Sequence, residues 1–227
     1  MSQPMNTKTG WIEVICGPMF SGKTEDLIRR IHLAHQVLMS VQVFKPVIDK
    51  RYSETAIVTH GGERVEATPV RDVAELEMSI DQNTVVVAID EAQFFGLQLV
   101  SLAQRLADRG VVVIIAGLDQ DYLGVGFEPM PELLAIAEKI TKHTAICAVC
   151  WFPATRTHRK GNTADRIKVG GSDDYEPRCR LCTTVSMKSY PPFRDSRFSI
   201  TQRFNSEFDP DRVVRSFAPE AFKRDPK

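Results

Sequence analysis

Three groups of residues have the types and spacing to do chemistry. The first is Gly17-Pro18-Met19-Phe20-Ser21-Gly22-Lys23-Thr24, which fits the P-loop pattern G-x-x-x-x-G-K-S/T. Its glycines let successive backbone N–H groups turn inward around phosphate oxygens, and the positive end of a following helix adds to the attraction. Lys23 supplies a cation to the β- and γ-phosphates, and the Thr24 hydroxyl can ligate Mg²⁺. The second group is Asp90-Glu91, which closes the apolar run 85–89. A strand of this kind delivers its carboxylates to the edge of a sheet where ligands of open α/β folds bind. Asp90 would hold Mg²⁺, and Glu91 could accept a proton from whatever attacks the γ-phosphate. The third group is Cys147, Cys150, Cys179 and Cys182, spaced C-x2-C-x28-C-x2-C. Four thiolates close a tetrahedral zinc site and leave no open position, so the site is structural rather than catalytic.

The elements that must position these groups are legible as alternating patterns. Apolar, β-branched runs at 11–16, 41–44, 85–89 and 111–116 read as strands covered on both faces. A helix over 24–38 follows the first strand, with Leu27, Ile28, Ile31, Ala34 and Leu38 on one side. A second helix carries Leu99, Leu102, Ala103, Leu106 and Ala107 and stops at Gly110. A further helix is expected over 131–139 and a strand over 140–146. This alternation predicts a parallel α/β sheet.

At Cys147 the composition shifts to Thr, Arg, Gly, Asp and Pro. That divides the chain into a nucleotide-binding domain at 1–146, a cysteine-held segment at 147–195 and a tail at 196–227. Between the cysteine pairs, the stretch 166–175 contains Gly170-Gly171, and metal-pinned ends make it suited to act as a lid. The tail holds Phe198, Phe204, Phe208, Phe217 and Phe222, more aromatic residues than a disordered segment ordinarily carries. Cys16, inside WIEVIC, reads as a small core residue.

Composition narrows the class of partner. The 227 residues are 43% hydrophobic and 26% charged, the mix of a soluble globular chain. Twenty-nine basic residues balance 29 acidic ones, so polyanion binding is disfavoured as the main task. The longest apolar run, 111–118, is far short of the roughly 20 residues of a membrane span. Residues 1–10 lack the apolar core of a secretory signal, so a cytoplasmic location is expected. Two readings of Asp90-Glu91-Ala92-Gln93 compete. One is the DEAx box of a nucleic-acid-dependent ATPase, here with a single RecA-like lobe; the other is a kinase acting on a small molecule. Neutral charge favours the second, and the first remains the alternative.

Taken together, the P-loop octamer, the segment Lys45-Pro46-Val47-Ile48-Asp49-Lys50-Arg51-Tyr52-Ser53, DEAQFF, Gly117-Leu118-Asp119, the two CxxC pairs and VGGSDDY resemble type II thymidine kinases, over roughly residues 10–190. The resemblance implies a RecA-like P-loop domain with a small zinc-ribbon-like domain bearing a lasso loop. It implies transfer of the γ-phosphoryl of ATP to the 5′-hydroxyl of thymidine, or of deoxyuridine, with Mg²⁺. Glu91 would be the proton acceptor. Asp49, Arg51, Asp90 and Gln93 would join the P-loop on the phosphate side. Phe94, Leu118, Tyr122 and Phe127 would wall the nucleoside pocket, and Met19 and Thr157 would lie near the base's methyl group. The lasso, Ile167, Lys168, Val169, Gly170 and Gly171, would meet the thymine edge through backbone groups, with Tyr175 beside the substrate. Homotetramers and inhibition by dTTP are further implied. One methyl is worth only about 1–3 kcal/mol in a pocket, so thymidine should be preferred to deoxyuridine modestly. Tyr122 stands where phenylalanine is common in animal members, and all four zinc ligands are cysteine where some bacterial members carry a histidine.

Overall fold

The apolar runs become strands whose side chains alternate between two helical layers. A computed structural model describes residues 10–49, 53, 55–59, 61–161 and 169–184, all within a compact unit that ends at Thr184. In chain order the elements are β1 (Trp11–Cys16), α1 (Lys23–Gln36), β2 (Val41–Pro46), β3 (Ala56–Val58), β4 (Arg64–Glu66), β5 (Thr68–Val70), α2 (Val73–Met78), β6 (Val86–Ile89), a 3₁₀ turn (Ala92–Phe94), α3 (Gln98–Asp108), β7 (Val112–Gly117), α4 (Met130–Ile136), β8 (Lys139–Lys142), β9 (Ala145–Ile146), β10 (Pro153–Ala154), β11 (Arg156–Arg159), β12 (Tyr175–Arg178) and α5 (Arg180–Thr184).

Six strands form one sheet in the order β5-β2-β6-β7-β1-β8, with every neighbouring pair parallel. Ile12, Val14 and Cys16 of β1 pack on one face with Leu76 of α2, Leu102 of α3 and Leu133 of α4. Ile15 points the other way, against Leu27, Ile28 and Ile31 of α1. The same division separates Val87 and Ile89 from Val86 and Ala88, and Val113 and Ile115 from Val112 and Ile114. This is why the strands read as nearly unbroken apolar runs, with Glu13 and Lys45 buried as partnered exceptions: a parallel sheet has no solvent face on which to place polar residues. Cys16 is fully buried, and burial followed by the nearby Asp119 charge pushes its thiol up to about 11, so it stays an inert core residue.

Several boundaries differ from the sequence reading for local reasons. α1 ends at Gln36, and Leu38 adopts φ 58° with 93% exposure, so it leaves the apolar stripe expected to include it. α4 stops at Ile136 because Ala137 turns extended (ψ 133°) to enter β8. The strand expected over 140–146 is two strands. After β8 the His143 N–H donates to the Cys16 carbonyl at 2.8 Å, and the chain leaves the sheet to start the β9–β10 hairpin. β3, β4 and β5 were not anticipated. No helix among the described residues is long and apolar enough to cross a membrane.

Polar residues tie α1 to the sheet. Asp26 is buried and accepts hydrogen bonds from His143 Nε2 at 3.0 Å, from Arg30 Nε at 3.3 Å and from Arg29. Arg30 also reaches Glu13, in the middle of β1. The His143 hydrogen bond, against the opposing effect of burial and with help from both arginines, holds the Asp26 carboxyl well below its ordinary value of 3.8. A depressed carboxylate contributes stability above its unfolded pKa and loses it as pH falls toward the folded one. Asp26→Asn should therefore lower the urea midpoint at neutral pH. The gap to the wild type should narrow as pH drops below 3.8; a pH-independent gap would count against an ionised Asp26.

Candidate active site

The P-loop is held in shape by its own hydrogen bonds. Gly17 has φ 145°, and a Cβ there would sit 2.5 Å from the His143 carbonyl oxygen, so only glycine fits. Ser21 Oγ and Lys23 Nζ each donate to the Pro18 carbonyl at 2.8 Å, and Gly22, at φ 83°, hands the chain to α1. The Met19 N–H donates to Thr157 Oγ1 on β11 at 3.0 Å, joining the loop to the cysteine-bearing segment.

Facing the loop, β6 ends in Asp90 and Glu91. Asp90 is 5% exposed, and its Oδ2 accepts from Thr24 Oγ1 at 3.4 Å. Burial first, and then the neighbouring Glu91 charge, push its pKa up to about 7. The Asp90 carboxyl beside the Thr24 hydroxyl, with Asp49 lining the same cleft, is a donor set suited to a hard divalent cation, whose charge would favour the ionised form of Asp90. Glu91 adopts a left-handed backbone (φ 51°, ψ 43°), unusual for a residue with a side chain and common where a site needs a group aimed a particular way.

Two adjoining clefts result. The first, of about 670 Å³, is lined by Met19 to Glu25, Lys45, Asp49, Asp90, Glu91, Leu118 and the 56–59 segment. The second, of about 470 Å³, is lined by Met19, Glu91, Gln93, Phe94, Leu118, Gln120, Asp121, Tyr122, Phe127, Thr157, Arg159, Val169, Gly170 and Tyr175. Phe94 and Phe127 meet edge to face there, with centroids 6.5 Å apart. Met19, Glu91 and Leu118 line both clefts, so Glu91 stands at their junction.

The cysteines form a third feature. β9–β10 brings in Cys147 and Cys150, and the end of β12 with α5 brings in Cys179 and Cys182. Their sulfurs all lie within 4.8 Å of one another. Thiolates on one zinc at about 2.3 Å stand about 3.8 Å apart, so the cluster fits that ion. Burial pushes the Cys147, Cys150 and Cys182 thiols up; at Cys147 the backbone amides of Cys179, Cys150 and Val149 outweigh it and draw the thiol down to about 7.

Comparison with known proteins settles the lineage. The family model for thymidine kinase matches residues 10–183. The chain belongs to the thymidine kinase family. The thymidine kinase of Bdellovibrio bacteriovorus is 53% identical over 171 residues, covering 75% of this chain and 84% of that protein. The thymidine kinase of a Rhodothermus species is 50% identical over 190 residues, covering 81% and 89%. Among solved structures, the Thermotoga maritima RuvB Holliday junction branch migration motor aligns over 59% of this chain and 38% of its own. At 14% identity and a TM-score of 0.34, that likeness is too slight to bear on the fold.

In this thymidine kinase family member, Met19, Phe20, Ser21, Gly22, Lys23, Thr24, Asp49, Asp90 and Glu91 line the first cleft. Phe94, Leu118, Tyr122, Phe127, Thr157, Val169, Gly170 and Tyr175 line the second. Gly17 and Pro18 shape the P-loop without lining either cleft, and the Gly171 carbonyl accepts from the N–H groups of Asp174 and Tyr175. Arg51, Ile167, Lys168 and the tail phenylalanines lie outside the described residues. Gln93, expected on the phosphate side, follows Glu91 in the one-turn 3₁₀ segment; its Nε2 donates to Glu91 Oε2 at 2.5 Å and its Oε1 accepts from Leu118 N at 3.0 Å, and it lines the second cleft beside Glu91.

Sequence reasoning missed Lys45 and Arg159. Lys45 is 3% exposed; its Nζ donates to the carbonyls of Ser53 at 2.7 Å and Ala56 at 3.3 Å and lies 3.8 Å from Asp49. A lysine inside the apolar strand VQVFKP was the available signal. For Arg159, the signal was the alternation of RTHR, which buries every second residue of β11.

Proposed function

We propose that this protein transfers the γ-phosphoryl group of ATP to the 5′-hydroxyl of thymidine, and less efficiently of deoxyuridine, giving dTMP and ADP. The observation that carries the reading is Glu91, placed where a cleft built around a P-loop meets a cleft walled by aromatic rings. A nucleoside held in the second cleft directs its hydroxyl toward the first. Glu91 takes the hydroxyl proton as the oxygen bonds to the γ-phosphorus, and the bond to ADP breaks. Lys23 and the P-loop amides hold the phosphates and disperse charge on the transferring group. Arg51, from the segment after β2, joins them in this reading. Thr24 and Asp90 would hold Mg²⁺, which would neutralise phosphate charge. Cys147, Cys150, Cys179 and Cys182 would hold a structural zinc. The thymine lies against Phe94, Leu118, Tyr122, Phe127 and Tyr175, with Met19 and Thr157 at its methyl group and the 167–171 lasso along its edge.

In this reading residues 1–146 form the nucleotide-binding domain, 147–195 the zinc and lasso domain, and 196–227 a tail of unassigned role. The family resemblance extends the proposal to a cytoplasmic homotetramer inhibited by dTTP. The test is a coupled assay for ADP release with thymidine or with single-stranded DNA as the stimulating partner. Thymidine-dependent release is expected; stimulation by single-stranded DNA alone would favour the nucleic-acid-dependent ATPase instead. Lys23→Ala should cost about 10²-fold in kcat/KM for ATP, the scale of losing one preorganised charge donor. The thymidine Kd, measured by calorimetry, should change little.

A further inference from the structure

β11 alternates, and its buried side presents two residues to the nucleoside cleft. Thr157 bonds to the P-loop. Arg159 is the other, at 7% exposure. Its guanidinium carbon sits 3.9 Å from the ring centroid of Tyr122 and 5.4 Å from that of Tyr175. Its Nη2 donates to the Tyr175 hydroxyl at 3.0 Å. The two tyrosines come from separate parts of the chain. Tyr122 lies in the loop between β7 and α4, whereas Tyr175 opens β12 and is the cross-strand partner of Arg159 itself. One cation therefore joins two walls of the cleft. It does so next to the point where the Lys160 N–H donates to the Asp174 carbonyl at 2.8 Å. Arg156 of the same strand also lies against the β7–α4 loop: a Cβ on Gly124 would stand 1.6 Å from Arg156 Nη1.

We propose that Arg159 is a positioning residue for the nucleoside, setting the spacing and tilt of Tyr122 and Tyr175 across the cleft. The inference rests on the thymidine reading above. The choice of arginine follows from its shape. A planar guanidinium covers one ring with its face while donating in its plane to a second group, and a lysine ammonium cannot do both. A desolvated stack also leaves the rings little freedom, so the cleft is formed before the base arrives.

Arg159→Lys keeps the charge and removes the fork. It should raise the thymidine KM, and the thymidine Kd measured by calorimetry without ATP, about tenfold. The KM for ATP should stay at the wild-type value and kcat within about threefold. Tyr175→Phe, which removes only the hydroxyl, should give a smaller rise of the same kind. Tyr122→Leu should raise KM more than Arg159→Lys, because it removes a ring that meets the thymine as well as the stack with Arg159. The double variant should be little worse than Tyr122→Leu alone, because the shared stack is already gone. An unchanged thymidine KM in Arg159→Lys, a loss confined to kcat, or additive losses in the double variant would overturn the proposal. Zinc content and thermal midpoint check that each variant folds. Should Arg159→Lys fail that check, Tyr175→Phe decides, since it keeps the ring and removes only the hydroxyl that Arg159 bonds; an unchanged thymidine KM there would overturn the proposal. Absence of thymidine turnover in the wild type would defeat the functional reading instead.

Discussion

Glu91→Gln should lose about 10³-fold in kcat while binding thymidine with near wild-type affinity, within the 10²- to 10⁴-fold range of general-base contributions. The geometry makes this variant a clean one. A backbone N–H can only donate, so the Leu118 N–H fixes Gln93 with its oxygen toward Leu118 and its amide nitrogen toward residue 91. A glutamine at 91 meets that nitrogen with its own carbonyl oxygen, keeping the hydrogen bond and the shape of the cleft junction. What it loses is the capacity to take a proton. Single-turnover kinetics with saturating ATP and calorimetric thymidine binding measure the two halves separately. Turnover near the wild-type rate would exclude Glu91 as the base.

Removing the metal from the cysteine cluster should have the second large effect. Structural zinc in small sites is worth about 10–16 kcal/mol, comparable to the whole stability of many domains. The apolar cluster here is small: Ala145, Cys147 and Ala154, with the other three cysteines around them. What else holds the two short hairpins is polar or stacked rather than apolar: the Met19–Thr157 hydrogen bond and Arg159 against Tyr122 and Tyr175. Through Thr157 and Arg159 those hairpins supply part of the nucleoside cleft. The six-stranded sheet and P-loop, by contrast, have extensive cores on both faces. Chelation, or Cys179→Ser, should expose the 145–184 region to proteases and abolish thymidine turnover, while nucleotide binding by the P-loop persists. One zinc per chain is expected by elemental analysis. Protease sensitivity unchanged after chelation would rule out a structural metal.

The sequence was most informative where chemistry demands a local pattern. The P-loop octamer, the apolar run ending in Asp90-Glu91 and the paired cysteines each carry their spacing on the chain, and the structure brings each set together. β1 is legible because a strand buried on both faces leaves no polar alternation. Short edge elements are different. Three residues in β3, β4 or β5 cannot display a period, and those strands exist because β2 offers an edge to pair with or because a hairpin closes. Leu38 misled because an apolar spacing says nothing about where a helix ends. Arg159 was missed because its partners, Tyr122 and Tyr175, lie far along the chain and nothing in local composition names them. Lys45 was missed because a lysine in a strand does not announce that the carbonyls of Ser53 and Ala56 will fold back over it.

The strand order has a consequence for how the protein is made. β1 is synthesised well before both of its partners, β7 at residues 112–117 and β8 at 139–142. At about 5–20 residues per second, the interval between translating Cys16 and Lys142 is on the order of ten seconds. Until β7 is made WIEVIC is a largely apolar strand with both edges unpaired, and until β8 is made one edge stays open, the state in which nascent chains stick to one another. A ribosome that stalls before residue 112 therefore holds a strand with neither partner, and chaperone demand should peak there.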